Sequence, residues 1–313
     1  MPLLMPQPIT SDNGSRPDLL DDWLAAHSTR PERNPEFRVL GPLEMRHGAS
    51  VYRPRGPKVR KLLALLIVRA NETVPVDHLI DELWEGDPPA TAVNTVRTHV
   101  YHLRQELGQW LGHEAVQDLL TTEATGYSLN AEEHQTDLAV FRGTCALGHQ
   151  ELRAGHLEAA YESFGDALAT WRGPALADVR QGHVLAAHAR EIEELQLHAQ
   201  EKWIEVAMRL GYYREVLPQL RNLVASHPYN EWLHARLIDA LHRSGRRGDA
   251  LRAFQDVRTV LAHELGLEPS DDLRRVQPFV VRVAGDQVPQ LGQDLAVVAQ
   301  PHGHLDPLLL GVE

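Results

Sequence analysis

The sequence predicts a mainly α-helical fold, in which an N-terminal winged helix-turn-helix of α+β type is followed by an all-α, tetratricopeptide-like domain. Two observations support this prediction. Between residues 36 and 131, three apolar stripes at helical spacing lie between short strand patterns and a hairpin pattern. From residue 132 to 283 the pattern is almost wholly helical, and a glycine-led motif recurs three times.

Turn residues separate the predicted elements of the N-terminal domain. Short strands are predicted between Phe37 and Arg53, with turns at Gly41-Pro42 and His47-Gly48. The apolar stripes then predict three helices, over Pro57–Ala70, Val76–Trp84 and Ala90–Leu107. A β-hairpin with a short tip is predicted within Leu119–Leu129. Together these elements predict a winged helix-turn-helix over residues 36–131.

The third helix has two contrasting faces. Apolar residues at steps of 3, 4, 3 and 4 predict a buried face made of Val93, Val96, Val100, Leu103 and Leu107. The opposite face presents Asn94, Arg97, Thr98, Tyr101 and Arg104. No carboxylate occurs between Pro88 and Gln105. A polar face that lacks carboxylates suits the phosphate-lined major groove of DNA.

The C-terminal domain contains the repeated motif. Gly155, Gly211 and Gly245 are each followed by apolar residues at offsets of 5, 9 and 12. The last two glycines are 34 residues apart, which is the period of tetratricopeptide helix pairs. The first two are 56 apart and enclose a long predicted helix from about Gln181 to Leu210, so the array is irregular.

The two ends differ in composition from these domains. Residues 1–35 are rich in Pro, Ser and Asp and predict a mostly disordered extension, and residues 284–313 predict a flexible tail. Within the extension, Pro17–His27 has the pattern of a short amphipathic helix. This segment either folds back on a domain or docks a partner.

Charge and cysteine content limit the function classes. The net charge of −12 argues against nucleic-acid binding by the whole surface. Whether DNA can bind therefore depends on the local electrostatic field where it would dock. Between Arg53 and Lys61 there are five cations and no anion. The single cysteine, Cys145, excludes an internal disulfide and is expected to be a small core residue. We expect a cytoplasmic, nucleoid-associated protein.

Signatures of catalysis and of membrane insertion are missing from the sequence. It contains neither GxxxxGK[ST] nor GxGxxG, and no apolar run is long enough for a membrane span. The His302-Gly303-His304 triplet has no carboxylate or cysteine at ligand spacing. The acidic run at Glu191, Glu193 and Glu194 is the pattern of a solvated helix face. We therefore expect a protein that is not an enzyme and uses no metal or cofactor.

Several stretches resemble one known family, the SARP family (Streptomyces antibiotic regulatory proteins). In the first domain these are Lys58–Leu66 (KVRKLLALL), Val76–Trp84 (VDHLIDELW), Pro88–Gly108 and Gly126-Tyr127. In the second they are Trp171-Arg172-Gly173 and Leu261–Pro269 (LAHELGLEP). The resemblance covers about residues 36–283. It implies an OmpR-type winged helix-turn-helix followed by a bacterial transcriptional activation domain.

The resemblance also implies a function and partners. Such proteins activate gene clusters for antibiotics or other secondary metabolites. They bind direct repeats of double-stranded DNA near the −35 promoter region, usually as two protomers side by side. They then contact RNA polymerase, including its sigma factor.

Site residues follow from the resemblance, position by position. The recognition-helix contacts fall on Asn94, Thr95, Arg97, Thr98, Tyr101, His102 and Arg104. Contacts to the DNA backbone fall on Arg55, Lys58 and Arg60. Wing contacts fall on Thr122, Thr125, Gly126 and Tyr127. The wing tip departs from the family pattern because it holds Glu123 and no cation, and position 102 is His where relatives often carry a cation.

Two other interpretations remain open. The acidic total charge and the acidic wing also fit a protein-interaction scaffold that reuses a winged helix for docking and does not bind specific DNA. The helical domain could in addition bind a small effector that changes DNA binding.

Overall fold

The computed structural model describes residues 35–276. The predictions for the N-terminal extension before Pro35, including Pro17–His27, and for the tail with His302 and His304 lie outside the described residues. The chain divides into two compact units, Met1–Gly211 and Tyr212–Glu313. The domain boundary that the sequence predicts near residue 131 falls inside the first unit.

A three-stranded antiparallel sheet opens the described chain. Its strands, in sheet order, are β1 (Glu36–Arg38), β2 (Glu44–His47) and β3 (Ser50–Tyr52). Phe37 lies opposite Met45, and both are fully buried. His47 lies opposite Ser50. The predicted short strands and the turn after His47 are therefore confirmed.

Three helices follow the sheet: α1 (Pro57–Val68), α2 (Val76–Trp84) and α3 (Ala92–Leu111). The bounds of α2 are those predicted. The third helix begins two residues later than predicted because the connector first folds as a turn, in which the Ala92 amide donates to the Pro89 carbonyl (2.9 Å). It also continues four residues further, to Leu111, where Gly112 ends it with a φ of 94°.

The end of α2 is fixed by a buried lysine of α1. Glu85 adopts a left-handed conformation with a φ of 52°, which is unfavourable for a residue with a side chain. Lys61 Nζ donates to Glu85 Oε1 (3.0 Å) and to the Glu82 carbonyl (3.0 Å). The hydrogen bond from Lys61 lowers the pKa of the Glu85 carboxyl. This pair therefore holds the turn between α2 and α3 against α1.

The hairpin after α3 forms the wing. A short helix that the sequence did not predict, α4 (His113–Leu119), leads into strands β5 (Leu120–Thr122) and β6 (Gly126–Leu129), which pair antiparallel and confirm the predicted hairpin. Strand β6 also pairs with β4 (Val74–Pro75), which precedes α2. A Cβ on Gly126 would lie 1.9 Å from the Val74 carbonyl oxygen, so only glycine permits this approach.

The first unit continues into the predicted helical domain. After a 3₁₀ turn at Glu133–Gln135 come α5 (Asp137–Ala154), α6 (Leu157–Ala169) and α7 (His183–Leu210), with α6 packed against both others. Gly155 and Gly211 end α5 and α7 with a φ of 85° each, as the repeated motif suggests. Cys145 of α5 packs against the core, and burial raises the pKa of its thiol to about 12.

Three carboxylates join the winged helix to these helices. They are Glu82, Asp137 and Asp178, and we call them the junction carboxylates. Their backbone amide donors are Gly182 and Leu185 for Glu82, Val39 and Leu40 for Asp137, and Leu43 for Asp178. Glu82 is fully buried, and one hydrophobic core extends from Phe37 to Ala199. The winged helix and α5–α7 are therefore parts of one packed body.

The second unit is helical in its described part, with α8 (Leu217–Ser226), α9 (Glu231–Arg243), α10 (Arg247–Val260) and a π-helical turn at Leu261–Leu265. Helix α9 packs against α8 and α10 around Leu220, Ile238 and Phe254. Gly245, the third glycine of the repeat, follows α9 with a φ of 85°. The mainly α fold with an N-terminal winged helix is confirmed.

Two further properties concern residues 35–276. None of their helices is both long and apolar enough to cross a membrane. Nor do these residues include three or more His, Cys, Asp or Glu side chains grouped so that they could hold a metal ion.

Candidate nucleic-acid interface

The candidate interface is the solvent-facing side of α3, and its orientation is set by the buried side of the same helix. Val96, Val100, Leu103 and Leu107 are buried, as predicted. The prediction that Val93 is buried is wrong, because Val93 is 41% exposed and Ala92 is buried instead. At about 100° per residue, Ala92 and Val93 lie at opposite edges of the buried stripe, each about 50° from its centre. The exposed side therefore includes Val93.

Most of the predicted contact residues share this exposed side. Asn94, Arg97, Thr98, Tyr101 and His102 are all exposed, while Thr95 is half-buried. Arg97 forms no ion pair within residues 35–276, and its nearest polar partner is Asn94 Oδ1 at 3.5 Å from Nη1. Its guanidinium therefore keeps its donors for a ligand.

The two threonines already use their hydroxyl protons within the helix. Thr95 Oγ1 donates to the Thr91 carbonyl (3.0 Å), and Thr98 Oγ1 donates to the Asn94 carbonyl (2.9 Å). An oriented hydroxyl retains its lone pairs, so the exposed Thr98 oxygen faces solvent as an acceptor. It is therefore suited to accept from an exocyclic amino group of a base.

Arg104 has a different role from the other predicted contact residues. Its Nε and Nη2 donate to the Leu120 carbonyl (3.1 and 2.7 Å), and Nη2 also donates to Thr122 Oγ1 (2.9 Å). The guanidinium lies 5.9 Å from the centre of the Tyr127 ring. Arg104 therefore ties the recognition helix to the wing hairpin.

The predicted wing contacts fall into two groups. Thr122 and Thr125 are exposed, whereas Gly126 and Tyr127 are buried. The side chain of Tyr127 lies beneath Arg104, so it supports the hairpin from inside. Glu123, at the tip, accepts a hydrogen bond from Thr121 Oγ1 (2.9 Å) and is exposed. Only Thr122 and Thr125 among the four therefore have side chains at the surface.

The cation cluster before and in α1 consists of Arg53, Arg55, Lys58, Arg60 and Lys61. Three of these side chains are bound to carboxylates: Arg53 to Glu44 (2.7 Å), Arg60 to Asp178, and Lys61 to Glu85 (3.0 Å). Arg60 Nη1 also donates to the Pro54 carbonyl (3.2 Å). These three cations hold the first unit together.

The remaining two cations of the cluster are more available. Lys58 Nζ lies 4.5 Å from the centre of the Trp84 ring, which leaves its ammonium group without a carboxylate partner within residues 35–276. Arg55 is exposed and forms no ion pair with the described residues. A phosphate contact from this cluster therefore depends on Arg55 and Lys58.

His99 is a half-buried residue in the middle of α3. Its Nε2 atom is buried without a hydrogen-bond partner among the described residues. Burial, followed by the positive charges of Lys58 and His102, lowers the pKa of His99. His99 is therefore neutral at pH 7 and adds no charge to the face of α3.

The structure adds two kinds of residue that sequence reasoning missed. Val93 belongs to the exposed side of α3, and the apolar spacing alone could not show this, because Val93 lies at the edge of the buried stripe. Glu82 accepts from an amide 100 positions away in the chain and Asp178 from one 135 positions away, and no local pattern shows such partners. The ion pairs of Arg60 and Lys61 were therefore not visible in the sequence.

Comparisons with known proteins agree with the fold. A family model described as "Transcriptional regulatory protein, C terminal" matches residues 54–129, and one described as "Bacterial transcriptional activator domain" matches residues 136–280. Regulatory protein DnrI of Streptomyces peucetius is 37% identical over 250 residues, which are 79% of this chain and 92% of that protein.

Longer relatives match over a similar share of this chain. Regulatory protein AfsR of Streptomyces griseus is 33% identical over 246 residues, or 79% of this chain but 24% of AfsR. The solved structure of Mycobacterium tuberculosis EmbR, in complex with a low-affinity phosphopeptide, superposes with a TM-score of 0.74 at 33% identity. That match covers 80% of this chain and 66% of the EmbR chain.

The fold and the two family models define a transcriptional regulator in which an OmpR-type winged helix precedes a bacterial transcriptional activator domain. Members of this class act on DNA and the transcription machinery and are not enzymes. With the identity and coverage of DnrI, the chain belongs to the SARP family of regulators.

Proposed function

We propose that this protein is a sequence-specific activator that reads promoter DNA with the exposed side of α3. The proposal rests on the charges that the exposed side of α3 presents. It is free of carboxylates from Ala92 to Gln105, and the Arg97 guanidinium has no ion pair within residues 35–276. In a winged helix-turn-helix, side chains near the start of the recognition helix contact base edges in the major groove.

Each exposed side chain of α3 has a chemical counterpart on DNA. Arg97 can donate two hydrogen bonds to O6 and N7 of a guanine, and Asn94 can pair with N6 and N7 of an adenine. The Thr98 hydroxyl can accept from an amino group, while Tyr101 and His102 face the surrounding backbone. Thr95 and Arg104 complete the predicted set, the latter mainly by holding the wing.

Contacts to phosphates would come from fewer side chains than the sequence suggests. Arg55, Lys58, Thr122 and Thr125 are accessible, whereas Arg60 can reach a phosphate only by leaving Asp178. Because each neutralised phosphate adds to affinity, one protomer with so few available cations binds DNA weakly. This supports the binding of two protomers side by side on direct repeats near the −35 region.

The partners and the pathway in this proposal rest on family membership. Once bound at the promoter, the protein recruits RNA polymerase, including its sigma factor, at the nucleoid. The genes that it activates form a cluster for an antibiotic or another secondary metabolite. The packing of α5–α7 against the winged helix supports recruitment, because it gives these three helices a defined position on the promoter.

The experiment is a nuclease footprint with the full chain on promoters around its own gene, followed by transcription with purified polymerase. We expect two protected repeats on one side of the duplex and stimulated transcription that is lost when one repeat is scrambled. A template with the same repeats moved upstream by half a helical turn serves as the control. Protection without stimulation would contradict the polymerase step, and no protection on any of these promoters would contradict the whole proposal.

One observation favours the scaffold alternative. Glu123 places a carboxylate at the exposed wing tip, where phosphate would be expected. In that case the protein binds every duplex equally, and binding disappears as salt is raised.

A further inference from the structure

Val93 is an unusual residue for its position. It lies in the first turn of α3 with 41% of its surface exposed, although the valines at 96 and 100 are buried. Residues 93, 97 and 101 follow one another at steps of four and therefore form one row on the helix surface. Tyr101, at the other end of this row, is 58% exposed. An apolar group, a guanidinium and an aromatic ring therefore face solvent together.

Neither helix propensity nor packing against the described residues accounts for the exposed part of Val93. A β-branched residue is a weaker helix former than alanine, and the exposed part of Val93 gains nothing from burial in the core. The major groove offers a matching apolar partner, which is the C5-methyl group of thymine. The first turn of a recognition helix is also the part that approaches base edges.

We propose that Val93 is a specificity-determining residue that recognises the methyl group of a thymine in the target site. This inference rests on the proposed function, because it requires that α3 enters the major groove. It also gives a spacing for the site. Val93 and Arg97 are about 6 Å apart along the helix axis. One base-pair step is about 3.4 Å. The thymine therefore lies about two base pairs from the guanine that Arg97 contacts.

The choice of a methyl group over a phosphate follows from the side chain itself. Val93 can donate or accept no hydrogen bond, so it adds nothing to a phosphate contact. Its neighbour Asn94 is exposed and polar and can read an adjacent base edge. Contact between methyl groups removes apolar surface from water on both sides.

The test is a uracil scan of the target site. The site is first obtained by selection from random duplex DNA with the full chain, and each thymine is then replaced by deoxyuridine, which lacks only the methyl group. For the natural protein, we expect one position per repeat at which deoxyuridine weakens binding about fourfold, the loss of one buried methyl contact. Val93→Ala should bind the thymine site less tightly and should no longer distinguish thymine from deoxyuridine there.

Val51→Ala is the matched control, because Val51 is 43% exposed and lies on β3. This variant should keep the full sensitivity to deoxyuridine. If Val93→Ala keeps that sensitivity too, the inference is wrong while the proposed function stands. If the natural protein selects no sequence at all, the proposed function itself is wrong. Circular dichroism of both variants checks that they are folded.

Discussion

Two basic regions of this protein differ in what their charges do. The cation cluster from Arg53 to Lys61 has five cations, but three of them are bound to Glu44, Asp178 and Glu85. The exposed side of α3 has only two arginines, yet Arg97 keeps its guanidinium without an ion pair among the described residues. The region with more charge therefore has the larger share of its charge committed to the fold.

This difference shows that the ion-pair partners of the cations, more than their number, determine how much positive charge is available to DNA. Arg53 and Arg60 each bind a carboxylate that also meets another part of the first unit, Glu44 through Arg172 and Asp178 through Leu43. Arg60, for example, meets Asp178, which also accepts a hydrogen bond from the Leu43 amide (2.7 Å). The net charge of −12 obscures this arrangement, because it counts paired and unpaired groups alike.

The largest expected effect comes from Lys61, the most deeply buried cation of the cluster. Lys61→Met should lower the free energy of unfolding by about 3 kcal/mol, because it leaves the buried Glu82 carboxylate without a nearby cation. Thermal unfolding measures this change. Lys58→Met is the control and should cost less than about 1 kcal/mol, the strength of an exposed cation–π contact. Unchanged stability in Lys61→Met would contradict the assignment of Lys61 to the fold.

A smaller effect is expected at Arg104, where α3 meets the wing. Arg104→Ala removes the hydrogen bonds to Leu120 and Thr122, so the hairpin should lose about 1–2 kcal/mol of local stability. Hydrogen exchange of the hairpin amides measures this change directly. Arg97→Ala should leave the same amides protected. Equal exchange in both variants would show that Arg104 does not hold the wing.

A comparison of Arg55 with Arg53 distinguishes a cation that is available to DNA from one that is paired within the protein. Arg55→Ala should weaken binding to all DNA sequences similarly and reduce the slope of log affinity against log salt by about one. Arg53→Ala should reduce this slope less, because Arg53 is held by Glu44, which it shares with Arg38 and Arg172. Titrations of labelled duplex at several salt concentrations provide the slopes. A lower slope only in Arg53→Ala would reverse the assignment.

The smallest effect concerns pH. Because burial and the neighbouring charges lower the pKa of His99 in the folded state, the unfolded chain binds this proton more readily. The free energy of unfolding should therefore fall as the pH drops from 7 through the ordinary histidine range near 6.5. In His99→Gln this part of the pH dependence should be missing, whereas His227→Gln should retain it. Denaturant unfolding at several pH values tests the difference.

The local sequence pattern predicted much of this fold. The features that it missed depend on contacts between different elements. The bounds of α2, the hairpin and the helix-ending glycines at 155, 211 and 245 follow from short-range signals such as periodicity and turn residues. Strand β4 has two residues and so carries no periodicity. The partners of Lys61 and Arg60 lie on other elements, and periodicity indicates which face is buried but not what meets it. The DNA contacts carried over from the family stay predictions.

The difference between the two regions is tested most directly by measuring, for variants of each region, the ratio of the affinity for the selected site to the affinity for a scrambled duplex. Arg97→Ala should reduce this ratio by at least about fivefold, the loss of one base-reading arginine. Arg190→Ala, an exposed arginine of α7, should leave the ratio unchanged, and so should Arg60→Ala, because Arg60 is paired with Asp178. An unchanged ratio in Arg97→Ala together with a reduced one in Arg60→Ala would show that the cation cluster, and not α3, selects the site.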